Sequence, residues 1–291
     1  MIEDHSVSFS SNAPSRRPPI VDTHIHLWNL AHPTLRWNWI DTDDDHPILG
    51  NIDPIKMRAF EMKHLNAEAR FADVGAFVHV QAAIGSPDPV EETRWLTTMA
   101  EDWPQLRGVV GHADLGDVGA EKTLDRHSQS PLFRGVRDFA VEPYLAAGEL
   151  QPTFEASLKS LARRGLLLDL DCEYPNMPAA RALAERHPDL VVVLEHIGFP
   201  RRRDDEYAAA WRRGISHLAK APNMFCKLSG AAMTDPSFTR ESLMPWLRHC
   251  IDAFGPSRCM VGSNWPLDRL RSSYDVIMDV YRRAVALLTP D

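Results

Sequence analysis

Apolar residues along the chain gather into eight short, β-rich runs, each closing on polar residues: 20–26, 74–81, 106–115, 132–139, 165–171, 190–196, 223–229 and 258–264. Between most of them, apolar positions recur at helical spacing, over 90–103, 151–164, 177–187, 207–220, 238–254 and 274–288. Several of these stretches begin after turn residues, as at Pro87-Asp88-Pro89, and several end at Gly or Pro, as at Gly165 or Ala221-Pro222. Strands that alternate with helices predict βαβ units and a parallel sheet. Two α/β architectures accept that alternation. An open doubly wound sheet wants a glycine-rich phosphate turn after its first strand, whereas this chain continues His26-Leu27-Trp28. Eight strands on a chain of this size predict a (β/α)8 TIM barrel in a single domain, residues 20–291. A long insertion, 29–72, separates the first two strands and carries Trp37, Trp39 and the acidic run 41–45. It reads either as a loop over the barrel mouth or as an external loop followed by the first helix.

Composition narrows the class without reaching the chemistry. The 291 residues are 44% hydrophobic and 25% charged, as in ordinary globular proteins, and are enough to bury a core without disulfide staples. A net charge of −8, from 32 Lys+Arg against 40 Asp+Glu, argues against a nucleic-acid partner, which usually needs a basic excess or stripe. The dense basic run Arg201-Arg202-Arg203 is followed at once by Asp204, Asp205 and Glu206 and reads as a solvated loop or helix start. Cys172, Cys226, Cys250 and Cys259 form no CxxC pair, which speaks against zinc ribbons and redox motifs; they read as small buried residues in a reducing compartment. No apolar run reaches the roughly 18 residues of a membrane span, so no membrane partner is expected. Residues 1–19 lack the apolar stretch of a signal peptide and read as a flexible tail, which makes the cytoplasm the expected location. A homo-oligomer is left open.

Barrel enzymes gather their chemistry at the C-terminal ends of the strands. Here the first strand ends His24-Ile25-His26 and the second His79-Val80-Gln81. The third offers His112 and Asp114, the fourth Arg134, Arg137 and Asp138, and the fifth Asp169 and Asp171. The sixth gives Glu195-His196, the seventh Lys227 and the eighth Asn264. A purely structural barrel has no reason to end every strand on ionisable or amide groups. His24 and His26 are the sharpest pair, because residues i and i+2 on a strand share a face and neutral imidazole is a common ligand for zinc and related ions. Two hydrogen-bonded core histidines are the plainer alternative.

The segment Val21-Asp22-Thr23-His24-Ile25-His26-Leu27-Trp28 resembles the opening motif of the amidohydrolase superfamily, closest to the branch of small barrel lactonases that includes pyrone-dicarboxylate and sugar-lactone hydrolases. Further segments agree in order: Val78-His79-Val80-Gln81-Ala82, Arg134-Gly135-Val136-Arg137, Leu194-Glu195-His196-Ile197-Gly198, Cys226-Lys227-Leu228-Ser229-Gly230 and Met260-Val261-Gly262-Ser263-Asn264-Trp265-Pro266. The resemblance runs from about residue 20 to the C-terminus. It implies a distorted barrel that hydrolyses a lactone or similar carbonyl compound. It also implies that His24, His26 and His196 bind one divalent metal, zinc first, or polarise the carbonyl directly, so a metal is not obligatory. Arg137 would anchor a substrate carboxylate, or else pair with a barrel acid such as Asp138 or Asp169. Gln81 and Tyr174 would hydrogen-bond in the pocket, unless Tyr174 packs in its loop. Trp28 and Trp265 would wall the pocket or fill the core, and Lys227 would contact substrate or pair with an acid.

One position departs from the family. The usual residue at Asn264 is Asp, expected to take a proton from the attacking water and often to help hold the metal. Asn cannot act as a general base, although its oxygen still accepts a hydrogen bond. Either another group serves as base, with Asp268, Glu195, Asp169 or a nearby histidine as candidates, or the chemistry needs no base there, or the barrel binds without hydrolysing. The leading expectation is a hydrolase acting on a small-molecule substrate, a carboxylated lactone or related ester. A metal-dependent decarboxylase on the same scaffold and a non-hydrolytic binding barrel are the alternatives.

Overall fold

The computed structural model describes residues 19–148, 150–235 and 237–286. The tail expected over 1–19 lies, apart from Pro19, outside the described residues. All eight apolar runs form strands: β1 (Ile20–Ile25), β2 (Val74–Val80), β3 (Leu106–Gly111), β4 (Phe133–Arg137), β5 (Leu167–Leu170), β6 (Val192–Leu194), β7 (Met224–Leu228) and β8 (Cys259–Val261). They pair in chain order, and every pairing is parallel. The ring is closed beyond the strand ends, where Ile25 bridges Trp265, the Asn264 amide donates to the His24 carbonyl at 2.8 Å, and the His26 amide donates to the Trp265 carbonyl at 2.7 Å. Asp22 holds this seam. Its carboxylate accepts from the Ser263 amide at 2.8 Å and from the Tyr274 hydroxyl at 2.8 Å. Gly262 is required there, since a Cβ on it would stand 2.6 Å from His24 Cβ. The result is a single-domain, nearly closed (β/α)8 barrel.

The connections are α1 (Met62–Ala69), α2 (Val90–Asp102), α3 (Ala120–His127), α4 (Val141–Ala147) and α5 (Pro152–Arg163). They continue with α6 (Met177–Arg186), α7 (Asp205–Leu218), α8 (Ala231–Thr234), α9 (Arg240–Phe254) and α10 (Tyr274–Val285). The six stretches with helical spacing correspond to α2, α5, α6, α7, α9 and α10. Each buries a stripe against the barrel, as Phe154, Leu158 and Leu161 do on α5, and Trp211, Ile215 and Leu218 on α7. Asp204 caps α7 by accepting the Tyr207 amide, so the basic run before it is a helix approach, with Arg201 on Glu173 and Arg202 on Asp204. The four cysteines are free; three are buried and Cys259 is half-buried. Among the described residues no helix is long and apolar enough to cross a membrane.

Both readings of the 29–72 insertion are realised, in different parts. Trp28–Asn29 and Ala59–Phe60 form a small antiparallel ribbon, and α1 follows outside the barrel. Between them the chain crosses the mouth. It is fastened by a Trp37–Gly85 bridge, by the Asn38 amide on the Ile84 carbonyl at 3.0 Å, and by Trp39 Nε1 on the Ala82 carbonyl at 2.8 Å.

Candidate active site

The strand ends bring His24, His26 and His196 together at the mouth. Their alternation on β1 turns both imidazoles inward, with His24 Nε2 3.0 Å from His26 Nε2. The His196 ring lies 4.4 Å from that of His24, centroid to centroid. His196, Ile197, Phe199 and Asn264 take left-handed φ angles of 50°, 51°, 44° and 54°, a sparsely populated conformation that clusters here at the site. Gly230 leaves space for the His196 ring, because a Cβ on it would stand 2.3 Å from Nδ1. Burial pushes all three histidines below their ordinary range, His196 to about 4, aided by the Arg137 charge and, for His24 and His196, by that of Lys227, so the rings are neutral at pH 7.

These rings fit a divalent ion. Two nitrogens each about 2.0–2.1 Å from a common zinc lie about 3 Å apart, which is the spacing of the two facing Nε2 atoms. His26 Nδ1 bonds the Val80 carbonyl at 2.8 Å, which makes it the N–H tautomer there and leaves Nε2 with its lone pair. His196 Nδ1 is likewise engaged, by Ser229 Oγ at 2.8 Å. A ligand atom from each of His24, Glu195 and His196 also lies within 4.8 Å of the others. The same geometry serves without an ion. Lys227 Nζ, 3.3 Å from His24 Nδ1, donates to that nitrogen, and His24 Nε2–H then donates to His26.

Behind the histidines lies a charge-balanced network. Lys227 forms a buried ion pair with Asp169, so its role is to answer an acid. Arg137 Nη1 lies 3.4 and 3.2 Å from the two Glu195 oxygens, and Nη2 donates to the Gln81 carbonyl at 2.5 Å. Two nitrogens of the guanidinium expected to anchor a substrate carboxylate are therefore already engaged, with Glu195 rather than with Asp138 or Asp169, and its Nε is buried without a partner. Burial raises Glu195, but Arg137, His196 and Lys227 outweigh it and hold the carboxyl down to about 2, which makes it a poor base. Burial and neighbouring Glu195 raise Asp169 to about 7 despite Lys227.

The eighth strand presents a different corner. Asn264 lines the mouth; its Nδ2 donates to Asp268 Oδ1 at 2.8 Å, and its Oδ1 is buried without a partner. Asp268 is fully buried behind Asn264 and is not part of the cavity lining. Burial, with Asp22 nearby, raises its carboxyl to about 7.

A cavity of about 300 Å³ opens above these groups, bordered below by His26, Gln81, Arg137, Glu195, His196 and Asn264. Gln81 Nε2 is buried without a hydrogen-bond partner. Trp28 and Trp265 do not reach the cavity. Trp28 is fully buried, donates to the Met57 carbonyl and packs on Trp39, which does line it; Trp265 donates to Glu68 and packs on Phe60. Tyr174 packs edge-on against Tyr207 in its loop, outside the lining. Asp171, on the same inward register as Asp169, lines the cavity and was not singled out as a base from sequence. Burial, Glu195 and Glu142 push its carboxyl up to about 8. The roof residues Trp39, His46, Pro47 and Ile48 come from the insertion.

Fold and site together define a barrel hydrolase with a histidine-lined mouth. The amidohydrolase family model matches residues 21–291, and the chain belongs to that family. A protein of Sinorhizobium fredii, y4mH, is 32% identical over 272 residues, covering 91% of this chain and 90% of the relative. An L-fucono-1,5-lactonase of Burkholderia ambifaria is 28% identical, over 87% of this chain and 82% of its own length. The crystal structure of a zinc-bound amidohydrolase from Burkholderia multivorans superposes with a TM-score of 0.76 at 26% identity, covering 93% of this chain and 92% of the other.

Proposed function

We propose that this enzyme opens a lactone ring by adding water to its carbonyl. The observation that carries this reading is the convergence on one cavity of neutral histidines, the unpartnered Gln81 amide, the Asn264 carbonyl and the Asp171 carboxyl. His24, His26 and His196 would hold a divalent metal, which when bound acts as a Lewis acid on the carbonyl. Gln81 Nε2 is a ready donor for the oxyanion that develops on the same carbonyl oxygen. Asn264 Oδ1, held by the Asp268 contact, accepts from and orients the attacking water. Asp171 takes the water's proton as the new C–O bond forms. It returns a proton to the ring oxygen as the acyl C–O bond breaks, and a hydroxy acid results. Asp268 positions Asn264 and does not meet substrate. Likeness to the L-fucono-1,5-lactonases supports the lactone as substrate.

Acid release from a lactone panel tests the reading. Asp171→Asn is expected to lower kcat about 10²–10⁴-fold, whereas Asp268→Asn keeps activity within about tenfold, as expected for a group acting through another. The reverse ranking would return the base to Asp268, and no turnover of any lactone would end the lactonase reading. Elemental analysis of protein purified without chelator is expected to show a metal that His24→Ala loses. Full activity after chelation would leave the histidines acting on the carbonyl directly.

A further inference from the structure

Resting on the lactone-opening reading, we infer that the substrate is an uncharged lactone whose body is a flat, apolar ring, neither a polyol nor a carboxylate. Three properties of the cavity lead there. First, apart from the imidazole of His46 in the roof, the polar groups lie at the reacting end, and the remaining wall is apolar. Trp39, Pro47 and Ile48 form the roof, and Ile84, Phe139 and Phe199 border the sides. A ring with a hydroxyl on each carbon would bury those hydroxyls against carbon and leave their hydrogen bonds to water unreplaced. Second, the polar atoms at the reacting end are mostly committed. His26 Nδ1, His196 Nδ1 and the Arg137 fork have protein partners. Gln81 Nε2, Asn264 Oδ1 and Arg137 Nε are the buried side-chain atoms of lining residues without one among the described residues, and a single ester group with its attacking water uses the first two.

Third, the charge at the mouth repels anions. Among the described residues lining the cavity, Arg137 is the sole Lys or Arg; Glu195 neutralises it, and its flat face is covered by Phe139, 4.7 Å away. Asp171 faces the same space and is negative in the deprotonated form that acts as base, and the roof segment enters through the exposed Asp41, Asp43, Asp44 and Asp45, directly before His46. A dianion would cross that field and meet inside a single cation whose charge Glu195 already balances. The roof histidine suits a neutral ligand as well. His46 Nδ1 accepts the Ile48 and Leu49 amides at 3.1 and 3.2 Å, so its Nε2 carries the proton and donates without a charge.

The test compares three lactones on the purified enzyme: dihydrocoumarin (neutral, aryl), L-fucono-1,5-lactone (neutral, polyol) and 2-pyrone-4,6-dicarboxylate (dianion). Dihydrocoumarin is expected to give the highest kcat/KM, by about tenfold or more. Phe139→Ala is expected to raise its KM with a smaller change in kcat. A higher value for the sugar lactone or the dicarboxylate overturns the inference and leaves the lactonase reading intact. A binding arm separates the two claims: thermal protection by 3,4-dihydro-2(1H)-quinolinone, the amide analogue, against gluconolactam and isophthalate. If no lactone opens and the quinolinone still protects best, the lactonase reading fails and the inferred shape and charge of the occupant stand. If gluconolactam or isophthalate protects better, or the quinolinone does not protect, the inference fails.

Discussion

Two buried carboxyls in the barrel, Asp169 at the end of β5 and Asp268 beyond β8, are both raised to about 7, in opposite surroundings. Asp169 sits in a network that balances: Lys227 and Arg137 face Asp169 and Glu195. Asp268 is met by neutral donors, the Asn264 amide and the Ala232 backbone, and burial disfavours its charge. The β5–β7 side is thus an ionic scaffold under the histidines, and the β8 corner is a hydrogen-bonded, nearly neutral one. That difference accounts for Asn264. A carboxylate at 264 would lie against Asp268, and two carboxylates so close cannot both ionise. Four residues further along, Asp268 supports the Asn264 amide from behind and does not line the cavity.

Breaking the ionic side should have the largest effect. Lys227→Met leaves Asp169 buried without a cation and is expected to cost about 3–5 kcal/mol in urea unfolding. The loss should be greater at pH 8 than at pH 5, where Asp169 takes up a proton, and adding Asp169→Asn should recover most of it. An unchanged midpoint would show that the pair is not structural. Next in size is the pH response of turnover. In the proposed mechanism Asp171 acts as base when deprotonated, and its carboxyl is raised to about 8. Turnover should therefore rise about tenfold per pH unit below that point and level above it. Asp171→Asn should flatten the limb; a limb that survives the substitution belongs to another group.

Much of the scaffold was readable from periodicity, because eight apolar runs and six helical stretches each bury one face in a regular repeat. Short elements escaped. α3 and α4 have eight and seven residues, too few for a repeat to declare itself. The third run overshot from Gly111 to 115 because Ala113 and Leu115 are buried in a loop and continue the apolar pattern. At the site, the i, i+2 spacing of His24 and His26 was enough to place them together, whereas Asp171, at the same spacing from Asp169, was noted only as a strand-end acid. Partnerships across the barrel were not readable. Arg137 and Glu195 are 58 residues apart and meet only because β4 and β6 both turn side chains into the barrel. Asp268 was one of several candidate bases, four residues beyond Asn264, and that spacing cannot tell a side chain in front of Asn264 from one behind it.

At the β8 corner smaller changes sharpen the comparison. Asn264→Asp replaces an amide that donates at 2.8 Å with a second acid, and should cost roughly 1–3 kcal/mol at pH 8. At pH 5 the two carboxyls can share a proton, so the cost in urea unfolding should shrink there. Equal losses at both pH values would show that packing, not charge, is at issue.

Asp268→Asn should act in the opposite direction. The folded-state carboxyl is raised from 3.8 to about 7, so the native protein holds that proton more tightly than the unfolded chain does. Its contribution to stability is full below pH 3.8, falls as pH rises, and is lost once pH passes about 7. An amide at 268 keeps the Asn264 hydrogen bond through its own oxygen and never ionises. The variant should melt roughly 2–5 °C above the parent at pH 8 and close to it at pH 4. A gain of equal size at both pH values would assign the effect to packing. A loss at pH 8 would mean that Asp268 is ionised and held by a partner in the native state, and the corner would then be a second ionic site like that around Asp169.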